Sequence, residues 1–421
     1  MNPYLFIIAI CLVVITSFFF NALSKKTNIP SVLMLVILGV IINHFQSFTG
    51  YSIPNQMQVL ELLGIVGLIM IVLEAALDLE LTKEKWPIIW KSLSIALIGL
   101  MATSLTLSTI FRLFFQNIDF LTSLIYAVPL SIMSSAIVIP SVSNLSDYKK
   151  EFMIYESTFS DILGIMFFYL LLENVNNNSA LAISWSVSSS IFITIIISLV
   201  VTYLLLFSFQ NVTSEIKFFL FLASLIMLFS IGKLLHYSSL LTILIFGLVL
   251  RNRQFFIPHQ LQRFIKMEAI SGLFHNFQMI TNETSFLVRT FFFVLFGMSI
   301  SLSSLLSWKV WSISALFLVA MYVIRILSFR MVIKKDYITE ALISPRGLIS
   351  ILLFFAIPSE FHVPEFESGV LFLTIIATAI VMSLSLIRSR KKITVLEERN
   401  EEVASPQKET GKEAKKIPTT L

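Results

Sequence analysis

A chain of 421 residues that is 57% hydrophobic, only 13% charged and has a mean hydropathy of +0.89 carries more apolar surface than a soluble core can bury. Composition therefore excludes a soluble globular protein and indicates an all-α polytopic membrane protein. The formal net charge of +5 resides in short connections and the C-terminal stretch, so no nucleic-acid partner is expected. The single cysteine, Cys11, allows no intramolecular disulfide, and the five histidines are scattered without metal-ligand spacing.

About thirteen stretches are long and apolar enough to cross a bilayer, which takes roughly 20 residues each. They run 4–23, 29–45, 59–78, 88–113, 119–143, 152–172, 184–208, 215–235, 238–254, 284–306, 309–333, 338–358 and 367–388. The first has no basic start and no small-residue cleavage site, so it is expected to be retained as a span. Lys and Arg segregate into alternate connections: Lys25 and Lys26, Lys83 and Lys85, Lys149 and Lys150, Lys217, Arg251 to Lys266, Lys334 and Lys335, then the tail from Arg388. Cytoplasmic loops carry the excess of basic residues, which predicts an outside N-terminus and a cytoplasmic C-terminus in the cell (inner or plasma) membrane.

Residues 30–43, PSVLMLVILGVIIN, resemble 238–251, SSLLTILIFGLVLR, with Ser31/Ser239, Leu33/Leu241, Ile37/Ile245 and Gly39/Gly247 in register. An offset of seven spans inverts the copy. The expected organisation of the transmembrane domain, 1–388, is therefore repeat one at 4–172, a linker helix at 184–208 and repeat two at 215–388. Residues 389–421, charged and mixed in sign, read as a disordered cytoplasmic tail. Residues 255–283 read as a polar connection with amphipathic character at the cytoplasmic surface.

Two corresponding spans are interrupted. The fifth reads AVPLSIMSSAIVIPSVSN, with Pro129, Pro140, Ser134 and Ser135; the twelfth reads ALISPRGLISILL, with Pro345, Arg346 and Gly347. Proline removes a helical hydrogen bond, and in a membrane the freed backbone groups are tolerated where they line a cavity. Paired breaks in two halves, crossing at the midplane, point to a transporter's binding site.

Between these breaks lies YESTFSDILG, 155–164, where Glu156, Ser157, Ser160 and Asp161 share one helical face with Gly164. A charge at bilayer depth costs about 2.5–3.5 kcal/mol on insertion scales, so such residues persist where they face an interior or a wet cavity. Asp161 is the candidate ion site, its oxygens holding either a proton or a cation, with Ser157 and Ser160 adding hydroxyl oxygens that suit Na⁺ or Li⁺. Glu156 and Arg346 are each costly alone, and pairing across the half-interface would offset that cost. Glu74 and Asp78 read as a solvated helix end, with a cation funnel the second reading; Arg289, Glu283 and Arg325 read as pairing or snorkelling residues, and His236 and His275 as surface residues, with pH sensing the second reading.

ESTFSD resembles the Glu-Ser-x-x-Asn-Asp motif of the monovalent cation/proton antiporter superfamily, in its sodium/proton exchanger branch. SPRGLIS resembles that family's second broken helix, and GLIMIVLEAALDLEL and FFFVLFGMSIS look like its third and tenth spans. The resemblance covers 4–388. It implies a homodimer, elevator-like exchange of a monovalent cation (Na⁺ or Li⁺, possibly K⁺) for H⁺, and no cofactor. By motif position, Asp161 matches the ion-binding aspartate, Ser157 a cation ligand, and Glu156 and Arg346 a structural ion pair.

The chain departs from the family at Ser160, where Asn or Asp is usual, and at Ser134-Ser135-Ala136, where Thr followed by Asp or Ser and Pro is usual. One carboxylate at the paired position implies electroneutral exchange. Three other readings stay open: a non-transporting sensor or assembly subunit, a sodium-coupled symporter of organic anions, and an intramembrane enzyme using Glu156 and Asp161.

Overall fold

A computed structural model describes residues 3–27, 29–49, 56–115, 118–143, 145–173, 195–208, 217–234, 239–256, 267–300, 302–333 and 337–389. The expected tail, 389–421, lies outside the described residues but for its first, as does the first part of the expected linker helix. The described chain is helical: α1 Pro3–Thr27, α2 Ser31–Thr49, α3 Gln56–Asp78, α4 Trp86–Phe114, α5 Phe120–Ser131, α6 Ser135–Ser141 and α7 Asp147–Glu173. There follow α8 Ile195–Ser208, α9 Lys217–Leu234, α10 Ser239–Arg251, α11 Arg253–Phe256, α12 Met267–Ser299, α13 Trp308–Val332, α14 Ile338–Leu342, α15 Leu348–Phe355 and α16 Ser368–Ser389.

Among the described residues seven helical stretches are long and apolar enough to cross a membrane, with four shorter apolar helices beside them. Apolar side chains such as Ile7, Phe18 and Phe19 of α1 and Val319 and Val323 of α13 face outward, as a lipid solvent requires. The expected connection 255–283 is corrected in its second half. From Met267 the chain is already in α12, one helix of 33 residues, because no proline interrupts it. Phe277 of that early part is buried and packs edge-on against Phe246 of α10.

The helices form two groups. α2, α3, α10 and α12 pack together around Ile69, Met70, Phe246, Phe292 and Phe293. α4 packs with α5, α7 and α13, and its buried face carries Ser92, Thr103, Ser104 and Ser108, small side chains that let helices approach closely. Ser108 and Ser123 share a 2.6 Å hydrogen bond across α4 and α5.

In the first group the two glycines of the sequence repeat occupy reciprocal positions. Gly39 of α2 lies where a Cβ would run into the Val294 carbonyl of α12, and its partner there is Gly297. Gly247 of α10 lies where a Cβ would reach Ala76 of α3 at 2.5 Å.

Candidate functional site: two helix breaks over a buried carboxylate

Both expected breaks are present. α5 carries Pro129, whose ring removes a helical N–H, and the chain leaves the helix two residues later; 132–134 are extended before α6 begins at Ser135. In the second half 343–347 separate α14 from α15, with Pro345 inside the break. The two extended segments cross and bond to each other, the Ser134 N–H donating to the Pro345 carbonyl at 2.9 Å. Gly347 makes the crossing possible, because a Cβ there would lie 2.6 Å from Ser134 Oγ and 2.8 Å from Ile137.

α7 presents its polar face to the first break. Gly164 has no side chain, and the space a Cβ would take is filled by Ile132 of the extended segment. One turn earlier Asp161, 2% exposed, accepts a 3.0 Å hydrogen bond at Oδ2 from the Ser135 N–H, the first amide of α6. Ser160 accepts a 2.9 Å bond at Oγ from the Met133 N–H inside the break. Two adjacent α7 side chains thus replace two of the helical partners that the broken span has lost. Ser157, fully buried, donates to the Ile154 carbonyl at 3.1 Å.

Asp161 Oδ1 and Ser134 Oγ are buried and have no hydrogen-bond partner among the described residues, and the same holds for Thr158 Oγ1 and for Ser350 Oγ on α15. Unpaired buried polar atoms also occur elsewhere among the described residues, Glu74 Oε2 and Thr281 Oγ1 among them; at the two breaks they include a carboxylate oxygen and the Ser134 hydroxyl. An ionised carboxylate and hydroxyl oxygens are hard donors, the set a small monovalent cation takes and a soft metal does not.

The expected pairing of Glu156 with Arg346 is corrected. Glu156 instead faces Arg325 of α13 in a bidentate pair, Oε1 at 2.6 Å from Nη1 and Oε2 at 3.0 Å from Nη2. Arg325 donates further to the carbonyls of Glu340, Ala341 and Ile343 at 3.2, 2.9 and 3.0 Å, where α14 ends. Arg346 gives its Nε to the Leu130 carbonyl at 2.8 Å and its Nη1 to both the carbonyl and the hydroxyl of Ser344, while its own N–H donates to Thr378 Oγ1 at 3.1 Å.

A helix C-terminus leaves carbonyls without donors, and in a dry interior a guanidinium with five donors is well suited to meet them. Each arginine therefore sits against the carbonyl end of one half-helix, Arg325 at α14 and Arg346 at α5. The signal for Arg325 was present in the sequence as a charge well inside an apolar span, unlike Lys309 and Arg330 nearer its ends. Its partner could not be read there, because which helix lies beside α13 is a matter of packing.

The acidic pair of α3 is likewise not a solvated end. Glu74 meets Arg289 of α12 at 3.1 Å, and Asp78 accepts from Gln278 at 2.9 Å, so Arg289 pairs across helices rather than with Glu283.

Two crossed helix breaks beside a buried carboxylate are the arrangement in which membrane transporters place a binding site. The chain belongs to the transmembrane sodium/hydrogen exchanger family, whose model it matches over residues 11–388. Among solved structures it is similar to that of the sodium proton antiporter MjNhaP1 from Methanocaldococcus jannaschii at pH 8, with a TM-score of 0.70 and 19% identity over 92% of this chain and 99% of that one. An electron-microscopy structure of the same antiporter matches with a TM-score of 0.65 and 20% identity, covering 94% and 97%. These likenesses show the fold. No curated protein sequence matches the chain.

Proposed function

We propose that this protein exchanges a monovalent cation, Na⁺ or Li⁺ and possibly K⁺, for H⁺ by alternating access, one for one, with Asp161 holding one or the other. The observation that carries the reading is the pair of unpartnered buried oxygens, Asp161 Oδ1 and Ser134 Oγ, at the crossing of the two breaks. Ser157 is the further hydroxyl that would complete the cation's oxygen shell. Ser160, Ser135, Pro345 and Gly347 hold the crossing in shape.

The physical basis of coupling is charge. A carboxylate carrying a proton is neutral, and so is a carboxylate carrying one monovalent cation. Only the bare anion meets the full cost of a charge in a dry interior. Loaded sites therefore change sides readily and an empty one does not, which turns two opposed movements into an exchange. Because each loaded form is neutral at Asp161, the cycle moves no net charge.

The reading extends to a homodimer in the cell membrane with the N-terminus outside and the C-terminal tail, 389–421, in the cytoplasm. The transmembrane domain, 1–388, would hold two inverted halves, 4–172 and 215–388, about the linker 184–208. The likeness of the fold to MjNhaP1, a sodium proton antiporter, supports the cation assignment.

The test is direct. In proteoliposomes, wild type should dissipate an imposed pH gradient on addition of Na⁺ or Li⁺, and Asp161→Asn should not. Exchange at the wild-type rate by that variant overturns the assignment. A wild type that moves no cation favours the sensor or assembly-subunit reading, and uptake that needs an organic anion favours the symporter.

A further inference from the structure

We infer that Tyr155 and the connection between α3 and α4 form a seal that closes the passage between the two helix groups at their lysine-bearing end, and that this seal opens each time the site turns to that side. The inference rests on the alternating-access reading above and adds the contact that has to break.

The two groups of helices touch each other sparsely, and they do so differently at their two ends. At one end they part around a cavity of about 430 Å³, lined by Gly64 and Leu68 of α3 and Phe292 of α12 on one side and by Tyr169 of α7 and Leu352 of α15 on the other. Residues 78–85, 151–155 and 251–252 lie at the opposite ends of α3, α7 and α10, and there the gap is bridged by polar contacts.

The bridge has a fixed side and a movable side. Asn252, just beyond α10, clamps the connection with its amide, Oδ1 accepting from the Leu81 N–H at 2.6 Å and Nδ2 donating to the Leu79 carbonyl at 2.8 Å. Arg251 adds a 3.3 Å contact to Glu80. The start of the connection is thereby tied to the α3–α10 group. Across the gap Tyr155 of α7, buried beneath the connection, donates from its hydroxyl to the Glu80 carbonyl at 2.5 Å, and its ring stacks on Phe159 with centroids 6.3 Å apart. Lys85, at the start of α4, lies 3.1 Å from Glu151 of α7 and 3.8 Å from Glu80.

The ion pairs are half exposed and contribute little, so the closing contact is the tyrosine ring with its one hydroxyl–carbonyl bond. That suits a reversible seal: its one buried polar bond is the Tyr155 hydroxyl to the Glu80 carbonyl, which water replaces once the gap floods. Tyr155 also sits on the helix that carries Asp161, so the seal and the ion site travel together.

The experiment compares full-length wild type with Tyr155→Phe, which keeps the ring and deletes the bond. Amide hydrogen–deuterium exchange is read in peptides covering 79–85 and 147–156, and cation/proton exchange is read in proteoliposomes with cation offered from each face. The variant should take up deuterium roughly two- to tenfold faster in 79–85, the worth of one hydrogen bond. It should also bind the cation more tightly from the lysine-bearing face, by a similar factor. Unchanged uptake and unchanged sidedness in the variant, beside an active wild type, overturn the seal alone. A wild type that exchanges nothing removes the transport reading and the seal's purpose with it.

Discussion

The pairing of Glu156 with Arg325 yields the sharpest quantitative test. Replacing Arg325 with Met keeps much of the side chain's volume but strips Glu156 of both its short contacts and leaves the carbonyls of Glu340, Ala341 and Ile343 without that donor. Glu156 is 1% exposed, so no water replaces the lost partner. Removing one member of a buried pair costs about 3–5 kcal/mol, because an uncompensated charge stays behind.

Adding Glu156→Gln removes the stranded charge, so the double variant should be more stable than Arg325→Met alone, with a coupling energy of about 2–3 kcal/mol between the two positions. It should still fall below wild type, since the α14 carbonyls remain unmet. The matching cycle between Glu156 and Arg346 should give a coupling of at most about 1 kcal/mol, because Arg346 spends its donors on Leu130 and Ser344. Equilibrium unfolding of the four proteins of each cycle in detergent micelles supplies the numbers. Equal coupling in both cycles, or a larger one with Arg346, would refute the partner assignment.

Two other outcomes follow from the site. Gly347→Ala drives a methyl to within 2.6 Å of Ser134 Oγ and 2.8 Å of Ile137, so the breaks must separate; a loss of about 1–3 kcal/mol and a collapse of exchange are expected, and a fully active alanine variant would show that the crossing is looser than described. Competition for one carboxylate sets the pH dependence. On the acid side of the Asp161 titration the apparent cation affinity in a flux assay should weaken about tenfold per pH unit, and on the alkaline side it should level off, with no response to a potential imposed with valinomycin; an affinity indifferent to pH would remove the competition, and a voltage response the one-for-one stoichiometry.

The membrane class, most of the described segments that become helices and the two places where helices break were legible in the chain, the start of α12 being the exception. Each is dictated locally: an apolar stretch must satisfy its own backbone in lipid, and Pro129, Pro345 and Gly347 prevent it from doing so at defined points. The shared face of Glu156, Ser157, Ser160 and Asp161 is equally a matter of helical period. What the neighbours of that face are was not legible. Glu156 could have met either of two arginines, and Glu74 and Asp78 had no visible partner, because charge attraction falls off with distance and only the packing of α13 against α14, and of α3 against α12, decides which groups lie within reach. Periodicity told which side of a helix carries the chemistry; contact between helices distant in sequence determined what stands opposite it.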